Sequence, residues 1–172
     1  IQSVVSSLGT ALTLDQLNLA WKYSNKPTIM FDGDKAGLRA AYKLSLMSLP
    51  LIRSNNFLQF ITLPSDCDPD SYINNYSFDS FIDILKKPIS LIDFIFFQSS
   101  AAFPINSADE KIMFDKYLDD LVETIKDKKI KYFYKNEFKS LFFNKIKGPK
   151  NSNNLPLVTN PSSLIEKQIL SF

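Results

Sequence analysis

The chain has 172 residues, 45% of them hydrophobic, with 20 basic against 18 acidic side chains and a formal net charge of +2; this bounds it to one globular domain with an appendage or two small domains, and excludes a polyelectrolyte binder. A single cysteine, Cys67, and the lack of any histidine exclude a disulfide framework, multi-cysteine or His-ligated zinc, and Ser-His-Asp or Cys-His catalysis within the chain. With no secretory signal and no bilayer-length apolar run, a cytoplasmic protein without a membrane partner is expected, whose chemistry comes from carboxylates, Lys and Arg, hydroxyls and bound metal.

Ile1 to Ser6, with Val4-Val5, reads as a short strand, and Ser7-Leu8-Gly9-Thr10 as a turn. Thr13-x-x-Gln16 is a capping box that opens a helix with Leu14, Leu17 and Trp21 on one face. Pro27 precedes a strand over Thr28–Phe31, and Asp34 is placed to cap a helix whose apolar positions include Leu38, Ala41, Leu44 and Leu49, stopped by Pro50. Phe57 to Leu63 is a third strand. Strands alternating with helices at this spacing predict an α/β fold with a mostly parallel sheet and flanking helices.

From residue 77 the pattern predicts helices only: a short one over Phe78–Lys86, a strongly apolar and buried one over Ile89–Ser100, one opened by the capping box Ser107-x-x-Glu110 with Phe114, Tyr117, Leu118, Leu121 and Ile125 on a stripe, and one over Lys128–Lys147 with Ile130, Tyr134, Phe138, Leu141 and Ile146 inward. Residues 148–161, rich in Asn, Pro and Ser, read as a linker, and Ser163-x-x-Glu166 caps a new helix. The chain opens on Ile1 and closes on Phe172 inside that helix, so both ends read as cuts through a longer protein.

Two acidic pairs carry the chemistry. Asp32-Gly33-Asp34 follows a buried strand and precedes a helix, the place where open α/β sheets bind ligands. Two carboxylates this close raise each other's pKa, a cost that a hard divalent cation removes, because such ions sit on one or two carboxylates, phosphate oxygens and water. Gly33 lets the backbone turn and leaves room for a metal or phosphate. Asp68-Pro69-Asp70 follows the next strand, with Pro69 stiffening the loop. A plainer reading stands beside each: Asp34 as a simple helix cap, and Asp68-Pro69-Asp70 as an ordinary turn capping a helix over Ser71–Asn74. A third feature is the stretch from Lys126 to Lys150, nine lysines against Asp127 and Glu137 with Tyr132, Phe133, Tyr134, Phe142 and Phe143 interleaved. Such a mixture binds single-stranded nucleic acid in some proteins, but a core stripe with a solvated lysine face is the preferred reading. No nucleic-acid-binding residue is assigned, and Cys67 is given no role.

Ser7-Leu8-Gly9-Thr10-Ala11-Leu12-Thr13, then Phe31-Asp32-Gly33-Asp34-Lys35-Ala36-Gly37 with Ala40-Ala41, then Leu63-Pro64 and Asp68-Pro69-Asp70, resemble in order and spacing the catalytic Toprim domain of bacterial DnaG-type DNA primases. The resemblance covers about residues 1–100; residues 105–147 look like the family's helical subdomain, and 162–172 like the start of its helicase-binding domain. It implies a partial Toprim domain over 1–76, an all-α subdomain over 77–147, a linker over 148–161 and a truncated C-terminal domain from 162. It also implies synthesis of short RNA primers on a single-stranded DNA template from ribonucleoside triphosphates. Asp32 and Asp34 match the family's catalytic metal-binding pair, Asp68 and Asp70 its second acidic pair, Mg²⁺ or Mn²⁺ is the implied cofactor, and Gly33 and Lys35 are the candidates for substrate contact. The replicative helicase is the implied partner, through the part of the C-terminal domain beyond this chain. Two departures from the pattern stand out: the family's catalytic Glu, on a strand upstream of Ser7, is not in this sequence, and Asp66 stands where relatives carry Gly. From the first, this chain alone is expected to make no primer.

Three other readings compete. Another Toprim enzyme, such as a topoisomerase, recombination mediator or nuclease, shares Asp-x-Asp but not the Ser-Leu-Gly-Thr-Ala-Leu and Asp-Pro-Asp spacing. A haloacid-dehalogenase-type phosphatase carries Gly-Thr or Gly-Val after the second Asp, whereas Lys35-Ala36 follows here. The third is a non-catalytic interaction segment of the primosome, with the acids as remnants.

Overall fold

The structure, a computed structural model, describes residues 3–6 and 12–148. Its elements run α1 (Leu14–Tyr23), β1 (Thr28–Phe31), α2 (Lys35–Ser48), a 3-10 turn (Leu49–Leu51), β2 (Gln59–Thr62), α3 (Pro69–Tyr76), α4 (Phe78–Leu85), β3 (Ile89–Ser90), α5 (Leu91–Ser100), α6 (Ala108–Glu123) and α7 (Lys128–Ile146). Local capping chemistry sets most helix starts. Thr13 accepts from the Gln16 N–H while the Gln16 side chain accepts from the Thr13 N–H; Ser107 and Glu110 do the same for α6, and Asp34 and Asp127 cap α2 and α7. At the far end of α7, Gly148 takes φ +93°, a left-handed value that closes a helix at low cost only for glycine.

The sheet has the order β1-β2-β3. β1 and β2 are parallel, with Phe31 opposite Thr62, and β3 is antiparallel to β2, with Phe60 opposite Ile89. Along β1, Ile29 and Phe31 pack against the larger apolar core, and Met30 against the smaller one. That is the two-residue alternation of a strand covered on both faces. The larger core joins α1, α2, α5, α6 and α7 with Leu58 and Phe60, and the rings of Phe60 and Phe94 stack at 4.3 Å. The smaller core, Leu63, Tyr72 and Phe81, seats α3 and α4.

One buried hydroxyl chain ties three helices. The Ser99 hydroxyl donates to the Ile95 carbonyl at 2.7 Å, so the Tyr42 hydroxyl, 2.8 Å away, donates to Ser99 Oγ. Tyr117, also 2.8 Å from Tyr42, then donates to Tyr42 Oη. Every oxygen in the chain is thereby satisfied, which a buried polar group requires.

Three expectations change. Residues 3–6 form no strand, and Val4 and Val5 are 73% and 91% exposed: two valines supply strand propensity, but nothing among the described residues pairs with them, and an unpaired strand does not persist in water. The third strand is shorter than Phe57–Leu63. The stretch after 77 is not purely helical, because Ile89-Ser90 adds to β2 before α5 begins. The turn at 7–10, most of the linker at 148–161 and the helix from 163 lie outside the described residues.

Candidate functional site

Because β1 and β2 are parallel and in register, the chain leaves both strands at the same end of the sheet. Asp32-Gly33-Asp34 follows one, and Leu63 to Asp68 the other. Backbone bonds join the two segments: the Gly33 N–H donates to the Cys67 carbonyl at 2.7 Å, the Asp66 N–H donates to the Gly33 carbonyl at 3.4 Å, and the Cys67 N–H closes the loop onto Pro64 at 3.2 Å. Gly33 is buried, and a Cβ built on it falls 1.9 Å from the Pro64 carbonyl oxygen. Only glycine lets the two backbones meet here. Asp66 makes the return turn at φ +60°, a conformation glycine adopts freely and Asp tolerates better than most residues.

A second close approach stacks the first loop on the helix after it. A Cβ on Gly37 falls 2.2 Å from the Asp32 carbonyl oxygen, so the Asp32 backbone rests on the first turn of α2. Asp34 Oδ1 accepts from the Gly37 N–H at 2.6 Å. Asp32 is exposed and has neither hydrogen bond nor ion pair among the described residues. Lys35 is exposed in the first turn of α2, its carbonyl accepting from Arg39 Nε at 3.0 Å.

In the second pair, Asp68 caps α3. Its Oδ1 accepts from the Ser71 N–H at 2.7 Å and from the Ser71 hydroxyl at 2.8 Å. The backbone bond from Ser71, then the hydroxyl, holds the Asp68 carboxyl below its ordinary value. Asp70 Oδ2 accepts from the Asn74 amide at 3.2 Å. Both plainer readings therefore hold as far as they go, since Asp34 and Asp68 are helix caps. Both caps stay exposed, and the Asp32 side chain has no hydrogen-bond partner among the described residues.

Among the described residues, no three carboxylate or thiol groups gather into a cage for a metal ion. Exposed carboxylates, two per loop, instead fit a hard cation held jointly by protein carboxylates, phosphate oxygens and water. Zinc finds no nitrogen or thiolate set here. The structure thus joins the Asp32 and Asp68 segments through their backbones and gathers no three of the four side chains into one cluster. Sequence reasoning missed Gly37 and the Cys67 carbonyl, which fix the geometry of the loops. The Asp32–Gly37 contact has a local signal, a second glycine four residues after Gly33; the Cys67 carbonyl has none.

A family model described as Toprim-like matches residues 1–73. A DNA primase of Rickettsia typhi is 35% identical over 136 residues, 79% of this chain and 23% of its own length. The chain spans roughly a quarter of the curated relatives it matches. A solved structure of the DnaG catalytic core superposes with a TM-score of 0.70 at 23% identity, over 80% of this chain and 44% of that one. A DnaG primase catalytic domain bound to ssDNA gives 0.68 at 23% identity, over 78% and 43%. These structural likenesses establish the fold. No described helix is long and apolar enough to cross a membrane.

Proposed function

Since the chain belongs to the DnaG-type primase family and carries its Toprim-like region, we propose that it is the part of a primase that presents acidic side chains to the triphosphate of an incoming ribonucleotide during RNA primer synthesis on single-stranded DNA. The observation that supports this best is the joining of two acidic loops, through the Gly33 and Cys67 backbones, at the carboxyl end of two parallel strands.

In this reading Asp32 and Asp34, with Asp68 and Asp70 across the Gly33 junction, hold Mg²⁺ or Mn²⁺ with the triphosphate. A cation held by these residues would supply activation of the attacking 3′-hydroxyl and charge neutralisation of the pyrophosphate leaving group. The chain's own contribution is position. Gly33 brings the loops together, the caps at Asp34 and Asp68 fix each carboxylate's angle, and Lys35 at the first turn of α2 meets phosphate oxygens beside free helix N–H groups. The template, the ribonucleoside triphosphates, the replicative helicase and a cytoplasmic place of action belong to this proposal.

The test is titration of the chain with Mg²⁺ and Mn²⁺ in the presence of a ribonucleoside triphosphate, followed by calorimetry or NMR. Wild type is compared with Asp32→Asn/Asp34→Asn. Binding that disappears in the variant supports the reading; equal binding in the two chains refutes it.

A further inference from the structure

The outer face of α7 departs from the expected solvated lysine face. At 100° per residue, Ile130, Tyr134, Phe138 and Leu141 point inward, Lys129, Tyr132, Lys139 and Phe143 share the opposite side, and Phe133 stands on the flank beside the cleft described below. Tyr132, Phe133 and Phe143 are 63%, 58% and 55% exposed. Three rings thus stand among lysines on the solvent side of one helix, over about 21 Å from Lys129 to Phe143 at 1.5 Å per residue. Lysines 131 and 135 turn to α6, pairing with Glu123 at 3.1 Å and Asp119 at 3.4 Å. Lys128, Lys129 and Lys139 have no carboxylate partner among the described residues, and the Asp127 carboxylate is occupied in capping the helix. At the N-terminal end of this face a cleft of about 350 Å³ opens between α7 and the segment before β2, lined by Ser54, Phe57, Lys129, Ile130, Phe133 and Tyr134. That volume falls in the range of small-ligand sites.

We propose that this face and cleft form a docking track for single-stranded DNA, with bases stacked on Tyr132, Phe133 and Phe143 and phosphates on Lys128, Lys129 and Lys139. Unpaired lysines select a polyanion, and exposed rings at intervals select one with bare bases, because base-on-ring stacking is closed to a duplex. The identity of the strand as template DNA rests on the primase reading; the track itself does not. Phe57 lies at the amino end of β2 and the acidic loops at its carboxyl end, so the track holds the strand at the end of the sheet away from the proposed chemistry.

The experiment is fluorescence anisotropy of a labelled, mixed-sequence single-stranded DNA of about 16 nucleotides, with the 172-residue chain in EDTA. Without divalent cations the readout is independent of the acidic loops, so failure of the primase reading in its own metal titration leaves this result standing. Tyr132→Ala/Phe133→Ala is expected to weaken binding roughly tenfold or more. Lys129→Gln/Lys139→Gln is expected to reduce the slope of log affinity against log salt by about 1.4 and to melt like wild type. Affinity unchanged in the aromatic variant overturns the proposal even if the lysine variant binds less, since charge alone then explains binding. Equal or tighter binding of duplex DNA or of polyglutamate overturns it as well, as does absence of binding to the wild-type chain.

Discussion

Gly33→Ala tests whether the two acidic loops form one unit. The added methyl falls 1.9 Å from the Pro64 carbonyl oxygen and 2.9 Å from that of Leu63, about 1.5 Å short of ordinary contact with the nearer one. Both obstacles are backbone, so no side-chain rotation relieves them. Either the Leu63–Cys67 segment moves away, or the chain bears the overlap. Overpacking of this kind costs about 1–3 kcal/mol. Movement also breaks the 2.7 Å bond from the Gly33 N–H to Cys67, which adds about 1–3 kcal/mol for a buried donor left unpaired. A loss of about 2–6 kcal/mol follows, against a typical total of about 5–15. Urea melts measure the loss, and hydrogen exchange of residue 33 reports whether its amide has become unprotected. Gly148→Ala is the control: no described residue lies within 4 Å of its added methyl, and its penalty comes from the positive φ of 93°, about 1–2 kcal/mol. If Gly33→Ala melts like wild type and keeps a protected amide, the junction is not as tight as described and the loops are independent.

Asp34→Asn keeps the α2 cap, since Asn caps as well as Asp, and removes the charge; it is expected to melt like wild type and to lose cation binding. Asp34→Ala loses both, with about 1 kcal/mol of stability, and urea melts with cation titration separate the two effects. Tyr42→Phe removes the middle of the hydroxyl chain and leaves the Tyr117 hydroxyl without its acceptor; a cost of about 1–3 kcal/mol is expected in the same melts. Burial pushes the Tyr42 and Tyr117 phenols above their usual value of 10.0. The stability they hold is therefore complete below about pH 10 and is lost as pH rises through their folded values. Melts from neutral to alkaline pH should show a fall that Tyr42→Phe reduces. For Asp68, held below 3.8 by Ser71, the contribution is present above the unfolded value and lost as pH falls through the folded one. An NMR titration of Asp68 is expected to find its midpoint below that of an unfolded Asp and to move it upward in Ser71→Ala.

Elements fixed by neighbouring residues could be read from the sequence. The boxes at Thr13 and Ser107 and the caps at Asp34 and Asp127 act within three residues and need no tertiary partner. Ile89-Ser90 could not be read, because two residues become a strand only when Phe60 and Gln59 are there to pair with. Val4-Val5 failed for the converse reason: the propensity is present, and no partner strand lies among the described residues. At the candidate site, the position of Asp32 and Asp34 at a strand end followed from apolar pattern and spacing. The bond from Gly33 to Cys67 joins residues far apart in sequence and carries no local mark. The outer face of α7 was legible in principle, since Tyr132 and Phe133 lie off the stripe of Ile130, Tyr134 and Phe138, but a stripe with a solvated lysine face left those two rings without a place.

The larger apolar core draws Leu17, Trp21 and Tyr42 from the front of the chain and Phe114, Phe138 and Phe142 from its back half. Neither group can be exposed without opening the other, so sheet and helices should melt in a single transition, and amides in α2 should exchange with the same global free energy as those in α7. A break in the chain near residue 77 therefore yields two pieces that each expose an apolar face. Mixed together, those pieces should reassociate into the fold, much as a divided protein is restored by complementation of its fragments.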